Sequence, residues 1–556
     1  MAKSKSNVVY VCQSCGAHYP RWQGRCSECG QWNSVQEEVV SSSPRPLKGV
    51  ALGSTEAVQP LPLSQISAKE EERFSCGLSE LDQVLGGGLV PGSLVLVGGP
   101  PGIGKSTLLL QAAAHLAEAG REVLYVSGEE SPQQIKLRAQ RLGIVQERIR
   151  LVSATSLEVV GNLLERERPQ LAIIDSIQTM YAEFLESAPG SVTQIRECAA
   201  ALMRLAKRLG CAIILVGHIT KGGELAGPRV LEHLVDAVLS FDSFGLHNVR
   251  ALRALKNRFG STQETGFFAM EAQGLTPIPD ASAFFLSQRA QDITGSLIFP
   301  SLEGTRPILV EIQALVTESY AASLGAPPTR RAVGVDANRL GLLLAVLQKR
   351  FPKLGVAQSD IYVNVAGGVR LNEPALDLPL LLAIASSKAN LLIPSDWAAL
   401  GEVGLGGEVR AVSGVELRLR ELQKLGFRYC LVPKRGLDLK GSPFKIASKV
   451  RLREAAARSK ALADPIGELT LGPPAGNELE MRQWAAAWAE RKADSQGAEG
   501  EKVRAKAAPV QRAGEGGPLE VVPVDNLAEA LQVLGLRPEQ GPHAHSSKRP
   551  PREVPF

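Results

Sequence analysis

The segment that most restricts what this chain can fold into is LVLVGGPPGIGKSTLLLQAAAHLA, residues 94–117. Residues 94–97 are an unbroken apolar run and read as a buried strand. Gly99-Pro100-Pro101-Gly102-Ile103-Gly104-Lys105-Ser106 then matches G-x4-G-K-[ST] without a gap, and from Thr107 to about residue 119 the apolar pattern turns helical. Glycines let main-chain amides converge on phosphate oxygens, and Lys105 bridges the terminal phosphates. Ser106 offers its hydroxyl to magnesium, and the helix N-terminus favours the anion. A strand, loop and helix in this order imply a parallel, doubly wound α/β sheet. ATP with Mg2+ is then expected over Gly99–Thr107, at the carboxyl ends of the strands.

Three further strands are expected at residues 122–126, 171–175 and 212–216. Ser127-Gly128-Glu129-Glu130 comes after the first, and a carboxylate at that strand end can polarise the water that attacks the γ-phosphate. Glu129 is the first choice and Glu130 the reserve; an acidic N-cap for a helix opening near Ser131-Pro132 is the plain alternative. The second ends in Asp175 after four apolar residues, which suits a carboxylate beside the magnesium water shell. The third ends at Gly217-His218, where a histidine can sense phosphate or serve only structurally. Long loops at 181–192 and 221–229 lie on the same side of the sheet.

Near the N-terminus, Cys12-x2-Cys15 and Cys26-x2-Cys29 are separated by ten residues. Two such turns can point four thiolates at one ion, and zinc is the default in a reducing compartment; an iron site or a pair of redox motifs are the rivals. About 30 residues bury too little surface to fold alone, so the metal is expected to supply folding energy. His18 stays outside a shell that four sulfurs fill. Arg21, Trp22, Arg25 and Trp32 suit nucleic acid or a protein partner equally.

At 556 residues two or three domains are expected, and 44% hydrophobic with 21% charged residues reads as globular. The net charge of +5 permits a polyanion partner without demanding one. No apolar run approaches the roughly 18–20 residues that span a bilayer, and MAKSKSNVVYVC lacks a signal-peptide core, so no membrane association and a cytoplasmic location are expected. The expected organisation is a four-cysteine finger at 1–35, a Ser/Pro-rich linker at 36–72 and an ATPase domain at 73–282. An α+β domain is expected at 283–540, interrupted by an insertion at 440–517 that includes a charged helix near 481–492, and then a disordered tail at 541–556.

Residues 250–255 alternate as a strand and 265–270 as its return, so a hairpin should present Lys256 and Arg258 at its tip. A solvated basic turn is the bland reading of that pair.

Leu81-Asp82-x2-Leu85-Gly86-Gly87-Gly88, the phosphate loop, VSGEES, IIDSIQT and Lys256-Asn257-Arg258-Phe259-Gly260 together resemble the RadA (Sms) family of bacterial DNA-repair proteins, over nearly the whole chain. That resemblance implies a RecA-like ATPase driving branch migration or unwinding of single-stranded and branched DNA, with RecA as a partner. It also implies a homo-oligomeric ring, hexameric by family precedent, in which Lys256 and Arg258 reach a neighbour's γ-phosphate. Lys221 and Arg229 would then face DNA in the channel. The rival readings are a KaiC-like signalling ATPase, an ATP-dependent protease and a nucleotide-binding scaffold without motor activity.

The segment Val333-Gly334-Val335-Asp336-Ala337-Asn338-Arg339, with an apolar helix, a strand at 360–365 and Gly367-Gly368 after it, resembles the proteolytic domain of Lon. Ala375 stands where that family carries its nucleophilic serine, and Arg418 where it carries the lysine base. A guanidinium stays protonated and cannot act as base, so no peptidase is expected. Ser386, Ser387 and Lys388 lie on the wrong side of the turn.

Overall fold

The computed structural model describes residues 7–12, 16–40, 72–218, 229–245, 248–287, 289–290, 293–438, 442–448 and 518–536. Cys15, nearly all of the linker, Lys221, the charged helix near 481–492 and the tail lie outside the described residues. The chain forms two compact units, Met1–Pro279 and Asp280–Phe556.

In the first unit, β1 (Asn7–Cys12) lies between β2 (His18–Tyr19) and β3 (Val35–Val40), antiparallel to both. The larger part is a nine-stranded sheet. Along the chain come α1 (Ser79–Leu85), β4 (Leu94–Gly99), α2 (Lys105–Glu118), β5 (Val123–Ser127), α3 (Pro132–Arg141), β6 (Ile149–Ser153), α4 (Leu157–Glu167) and β7 (Leu171–Asp175). Next are α5 (Val192–Leu209), β8 (Ala212–His218), α6 (Arg229–Leu234), β9 (Ala237–Ser243), β10 (Val249–Asn257), β11 (Thr265–Glu271) and β12 (Gly274–Pro277). The sheet order is β12-β11-β10-β9-β4-β8-β7-β5-β6. From β9 to β6 every neighbouring pair is parallel, and β10, β11 and β12 add an antiparallel edge. The doubly wound expectation therefore holds for the strands that surround the phosphate loop, with the expected hairpin as β10 and β11.

Period-two alternation sorts these strands into two cores. Val95, Val97, Tyr125 and Ile173 pack with α1, α2 and α3 on one face; Leu94, Leu96, Val126 and Ile174 pack with α4 and α5 on the other. Both faces are covered, as the continuous apolar runs of these strands require.

The second unit contains α7 (Ala281–Leu286), β13 (Ser296–Glu303), β14 (Arg306–Glu318), α8 (Tyr320–Ser323), β15 (Arg330–Val333), α9 (Ala337–Arg350), β16 (Ser359–Val365) and α10 (Asp377–Ala389). It continues with β17 (Trp397–Ala399), β18 (Glu402–Val403), β19 (Val409–Arg410), α11 (Val415–Lys424), β20 (Tyr429–Pro433), β21 (Lys445–Ile446), β22 (Glu520–Val524) and α12 (Leu527–Val533). Its main sheet has the order β15-β16-β14-β13-β17-β20-β22-β21 and is mixed. The helix α10 is apolar almost throughout and is buried against β13 and β14. The strand β22 and the helix α12 close this unit. Lys445–Ile446, inside the span expected as an insertion, instead pairs with β22 as the edge strand.

Candidate active site and metal centre

The phosphate loop runs from the end of β4 into α2, with Gly104 as the helix N-cap at φ 115°. The helix therefore opens at Lys105, two residues earlier than the apolar period indicates. That backbone angle suits glycine and turns the first amides of α2 toward the loop. The Lys105 ammonium donates to the Gly99 carbonyl at 2.8 Å and to the Pro100 carbonyl at 3.1 Å. Burial lowers its pKa below the ordinary value, while the charges of Asp175 and Glu129 oppose that shift.

Asp175 and Glu129 lie near enough for their charges to act on this ammonium because β5 and β7 are neighbours, with Ser127 paired to Asp175. The two acidic candidates after β5 separate cleanly. Ser131 is the N-cap of α3, its hydroxyl accepting from the Gln134 amide, so neither glutamate serves as the cap. Glu130 is tied to Arg138 in an ion pair, whereas Glu129 accepts from the Ser176 hydroxyl beside Asp175. Tyr125 donates its phenolic hydrogen to Asp175 at 2.7 Å. Neither Ser176 nor Tyr125 is identifiable from local pattern; for Tyr125 the available signal is a polar side chain amid the valines and leucine of β5. The residues brought together at the strand ends can hold a triphosphate by amides and Lys105, a hydrated cation by Ser106 and Asp175, and a water by Glu129.

On the same side of the sheet, the segment after β7 is stitched down by Gln194, buried at the start of α5. Its amide accepts from Ala182 at 2.8 Å and donates to the Ser187 carbonyl at 2.9 Å. Arg229 begins α6.

Lys256 and Arg258 have partners that the sequence does not announce. The hairpin forms, and both cations lie beyond its last pair, Arg253 with Thr265, but they are also held by contacts to their own chain. The Lys256 ammonium donates to the Glu232 carbonyl at 2.5 Å and the Val235 carbonyl at 2.8 Å, near the carboxyl end of α6. Arg258 pairs with the buried Asp236 at 3.1 Å, and Asp236 also accepts from the Leu94 amide at 3.0 Å. A register shift between Ala254 and Lys256 turns the strand, and carbonyls at a helix end attract a cation. Burial, and next the charge of Arg258, hold the Lys256 pKa below its usual value.

The register also fixes which end of the sheet these cations occupy. Ala237 pairs with Val95 in parallel β4, and Asn257 pairs with Ala237 in antiparallel β10. Lys256 and Arg258 thus lie at the amino end of β4. From Val95 to Gly99 the strand rises about 13 Å, at roughly 3.3 Å per residue, so the two cations face away from their own phosphate loop.

In the ribbon, Cys12, Cys26 and Cys29 bring their sulfurs within 4.8 Å of one another. Gly16 donates to the Cys12 carbonyl at 2.8 Å and Gly30 to the Cys26 carbonyl at 2.9 Å, the same tight turn twice. Metal–sulfur bonds of about 2.3 Å in a tetrahedron set sulfurs about 3.8 Å apart. The Cys12–Cys29 separation is 3.7 Å, so the described thiols fit such a centre. Trp22 and Trp32 are 60% and 69% exposed, with the Arg25 guanidinium 5.7 Å from the Trp32 ring centre.

In the second unit, Ala375 is buried and Arg418 is 1% exposed. Arg418 is ion-paired with Glu373, donates to the Pro300 carbonyl and to the Ser413 carbonyl at 3.1 Å, and lies over the Phe299 ring. Glu373 in turn accepts from the Ser301 hydroxyl at 2.6 Å. Ser386 and Ser387 use their hydroxyls to hold the Gly295 and Val316 amides, both at 2.9 Å. The cleft beside this turn, about 320 Å³, is lined by residues including Asp336, Arg339, Asn372 and Asp377.

Three family models match the chain: one described as AAA domain at residues 60–224, one as Rubredoxin metal binding domain at 10–37, and one as Subunit ChlI of Mg-chelatase at 344–436. A solved KaiC-like protein from Pyrococcus horikoshii aligns over 37% of this chain and 99% of its own at 22% identity, with a TM-score of 0.33. DNA repair protein RadA of Bacillus subtilis is 49% identical over 439 residues, 79% of this chain and 94% of that protein. RadA of Brucella abortus is 46% identical over 473 residues, covering 82% and 98%, and RadA of Escherichia coli 48% over 437, covering 78% and 94%. With identity of that order across nearly all of the relatives' length, and with the phosphate loop and cysteine ribbon both in place, this chain belongs to the RadA family of DNA repair proteins.

Proposed function

We propose that the chain is an ATP-driven DNA motor that unwinds or migrates single-stranded and branched recombination intermediates in the cytoplasm, and that it is not a peptidase. In this reading ATP lies over Gly99–Thr107, Lys105 compensates the developing phosphoryl charge, and Glu129 polarises the attacking water. Ser106, and Asp175 through water, would hold magnesium, which when bound neutralises charge on the transferred phosphoryl group. Four thiolates, Cys12, Cys15, Cys26 and Cys29, would hold zinc and thereby fold the ribbon.

The observation that carries this reading is the convergence of Lys105, Glu129 and Asp175 at one end of the sheet. The seating of Lys256 and Arg258 at the amino end of β4 supports a further part of it. Cations at the opposite end of the sheet from their own phosphate loop do not serve that loop, which favours a homo-oligomeric ring, hexameric by analogy, that would complete each site between two subunits. Lys221 and Arg229 would touch the DNA backbone, and RecA would be a partner on the same substrates. The family assignment, the ribbon and the Lon-like unit favour this motor over a KaiC-like signalling ATPase.

The test is unwinding of forked DNA, with phosphate release measured with and without single-stranded DNA. The parent should be stimulated by DNA, whereas Lys105→Ala and Arg258→Ala should each abolish movement, the latter with a loss of about 10³ or more in hydrolysis. Mixing the two variants should restore part of the ATPase, because a mixed ring contains interfaces with an intact loop and an intact finger. Indifference to DNA would leave a nucleotide-binding scaffold, and no rescue on mixing would remove the shared site.

A further inference from the structure

Tyr125 lies in the middle of β5, opposite Ile173 of β7, and is 1% exposed. Alternation puts Tyr125 and Asp175 on the same face of the sheet, the one that packs against α2. The phenol therefore points along the strand toward its carboxyl end and reaches Asp175 Oδ2 two residues further along the register, at 2.7 Å. It belongs to an apolar cluster that includes Val123, Ile173 and Ile135, which would accept a phenylalanine of the same volume. The hydroxyl is not needed for packing, and burying it would cost stability without a partner. What it adds is one fixed hydrogen-bond donor on one oxygen of the carboxylate.

We propose that Tyr125 is a positioning residue for the cation half of the site: by holding Asp175 Oδ2 it leaves Oδ1 aimed at the water shell of magnesium. The inference rests on the nucleotide reading of the site given above. A carboxylate on a short side chain turns freely about its terminal bond unless one oxygen is held, and a water-mediated cation contact depends on that orientation. The phenol is a dependable donor, since burial and the adjacent Asp175 charge push its pKa well above the ordinary tyrosine value. Adjacent residues then address different groups. Asp175 is held by the phenol from β5, while the Ser176 hydroxyl is given to Glu129.

Binding of a fluorescent ATP analogue to the full-length protein, titrated with magnesium, tests this without reading turnover. Tyr125→Phe should raise the half-saturating magnesium concentration about tenfold, the low end of what a hydrogen bond to a charged group contributes. Analogue affinity in chelator and the melting temperature without nucleotide should change little. In an Asp175→Asn background the same substitution should add no further shift, because the phenol acts through that carboxylate. If Tyr125→Phe does not fold, Tyr125→Met supplies the apolar volume for the same titration. A Tyr125→Phe protein with the parent's magnesium dependence, or one whose shift persists without Asp175, overturns the inference alone. A parent that binds no nucleotide overturns the reading of the site, and this inference with it.

Discussion

Lys105 in the phosphate loop of the first unit and Arg418 in the second are both buried cations beside a turn, yet their surroundings differ in kind. The Lys105 ammonium is held by main-chain carbonyls of its own loop, with the carboxylates of Asp175 and Glu129 near enough to act on its charge. Arg418 is ion-paired with Glu373, bonded to two further carbonyls and covered by the Phe299 ring. Phosphate oxygens can displace neutral carbonyls from a lysine, because they bring a charge that the carbonyls lack. Nothing incoming can readily improve on a buried guanidinium–carboxylate pair that also holds two carbonyls. The first cation is therefore available to a substrate, and the second has become part of the core.

The largest expected difference between the two is in turnover. Lys105→Met should lower ATP hydrolysis at least about a hundredfold, as loss of one charge-stabilising donor does. Arg418→Met should leave phosphate release per folded molecule unchanged. If it silenced hydrolysis instead, the contrast between the two cations would fail. Stability should run the other way. Arg418→Ala leaves Glu373 uncompensated and should cost about 3–5 kcal/mol in denaturant unfolding.

Lys105→Met should not destabilise, and the sign comes from titration. Burial sets the folded pKa of Lys105 below 10.5, so the unfolded chain holds the proton over a wider range. The parent then gains stability as pH rises through the interval just below 10.5, where the methionine variant gains none. The variant's advantage in melting temperature should be greatest near neutrality and shrink toward that value; a constant difference would show that the ammonium is not strained by burial.

The smallest effect concerns the cysteines. Burial pushes the Cys198 and Cys211 thiols up to about 12 and raises Cys76 and Cys430 as well. A chelator should therefore expose only the ribbon thiols to alkylation in otherwise folded protein, counted by mass spectrometry. Labelling of Cys198 or Cys211 without denaturant would show that metal loss loosens the sheet also.

The features legible in the sequence are local. The phosphate loop with its strand and helix, the acidic ends of β5 and β7, and the paired CxxC turns each lie within a few residues of their own signal. The features that escape it depend on chain brought in from elsewhere. Tyr125 is an ordinary strand residue until β7 arrives beside it. Lys256 sits at the hairpin end as its sequence suggests, but its partners, carbonyls at the end of α6, come from elsewhere in the chain. The β13–β14 hairpin gives little local signal because its buried faces show no clean alternation. Lys445–Ile446 is a strand only because residues more than seventy positions later pair with it.

The close approach of Gly86 and Gly260 offers a lever that charge substitutions at the basic hairpin do not. A side-chain carbon at position 260 would come within 3.1 Å of the Gly86 Cα and 3.2 Å of the Asn257 amide nitrogen. Alanine there would press the KNRFG turn and the glycine-rich segment after α1 apart by a few tenths of an ångström while every cation kept its charge. Geometry and electrostatics, inseparable in a lysine or arginine deletion, could then be varied one at a time.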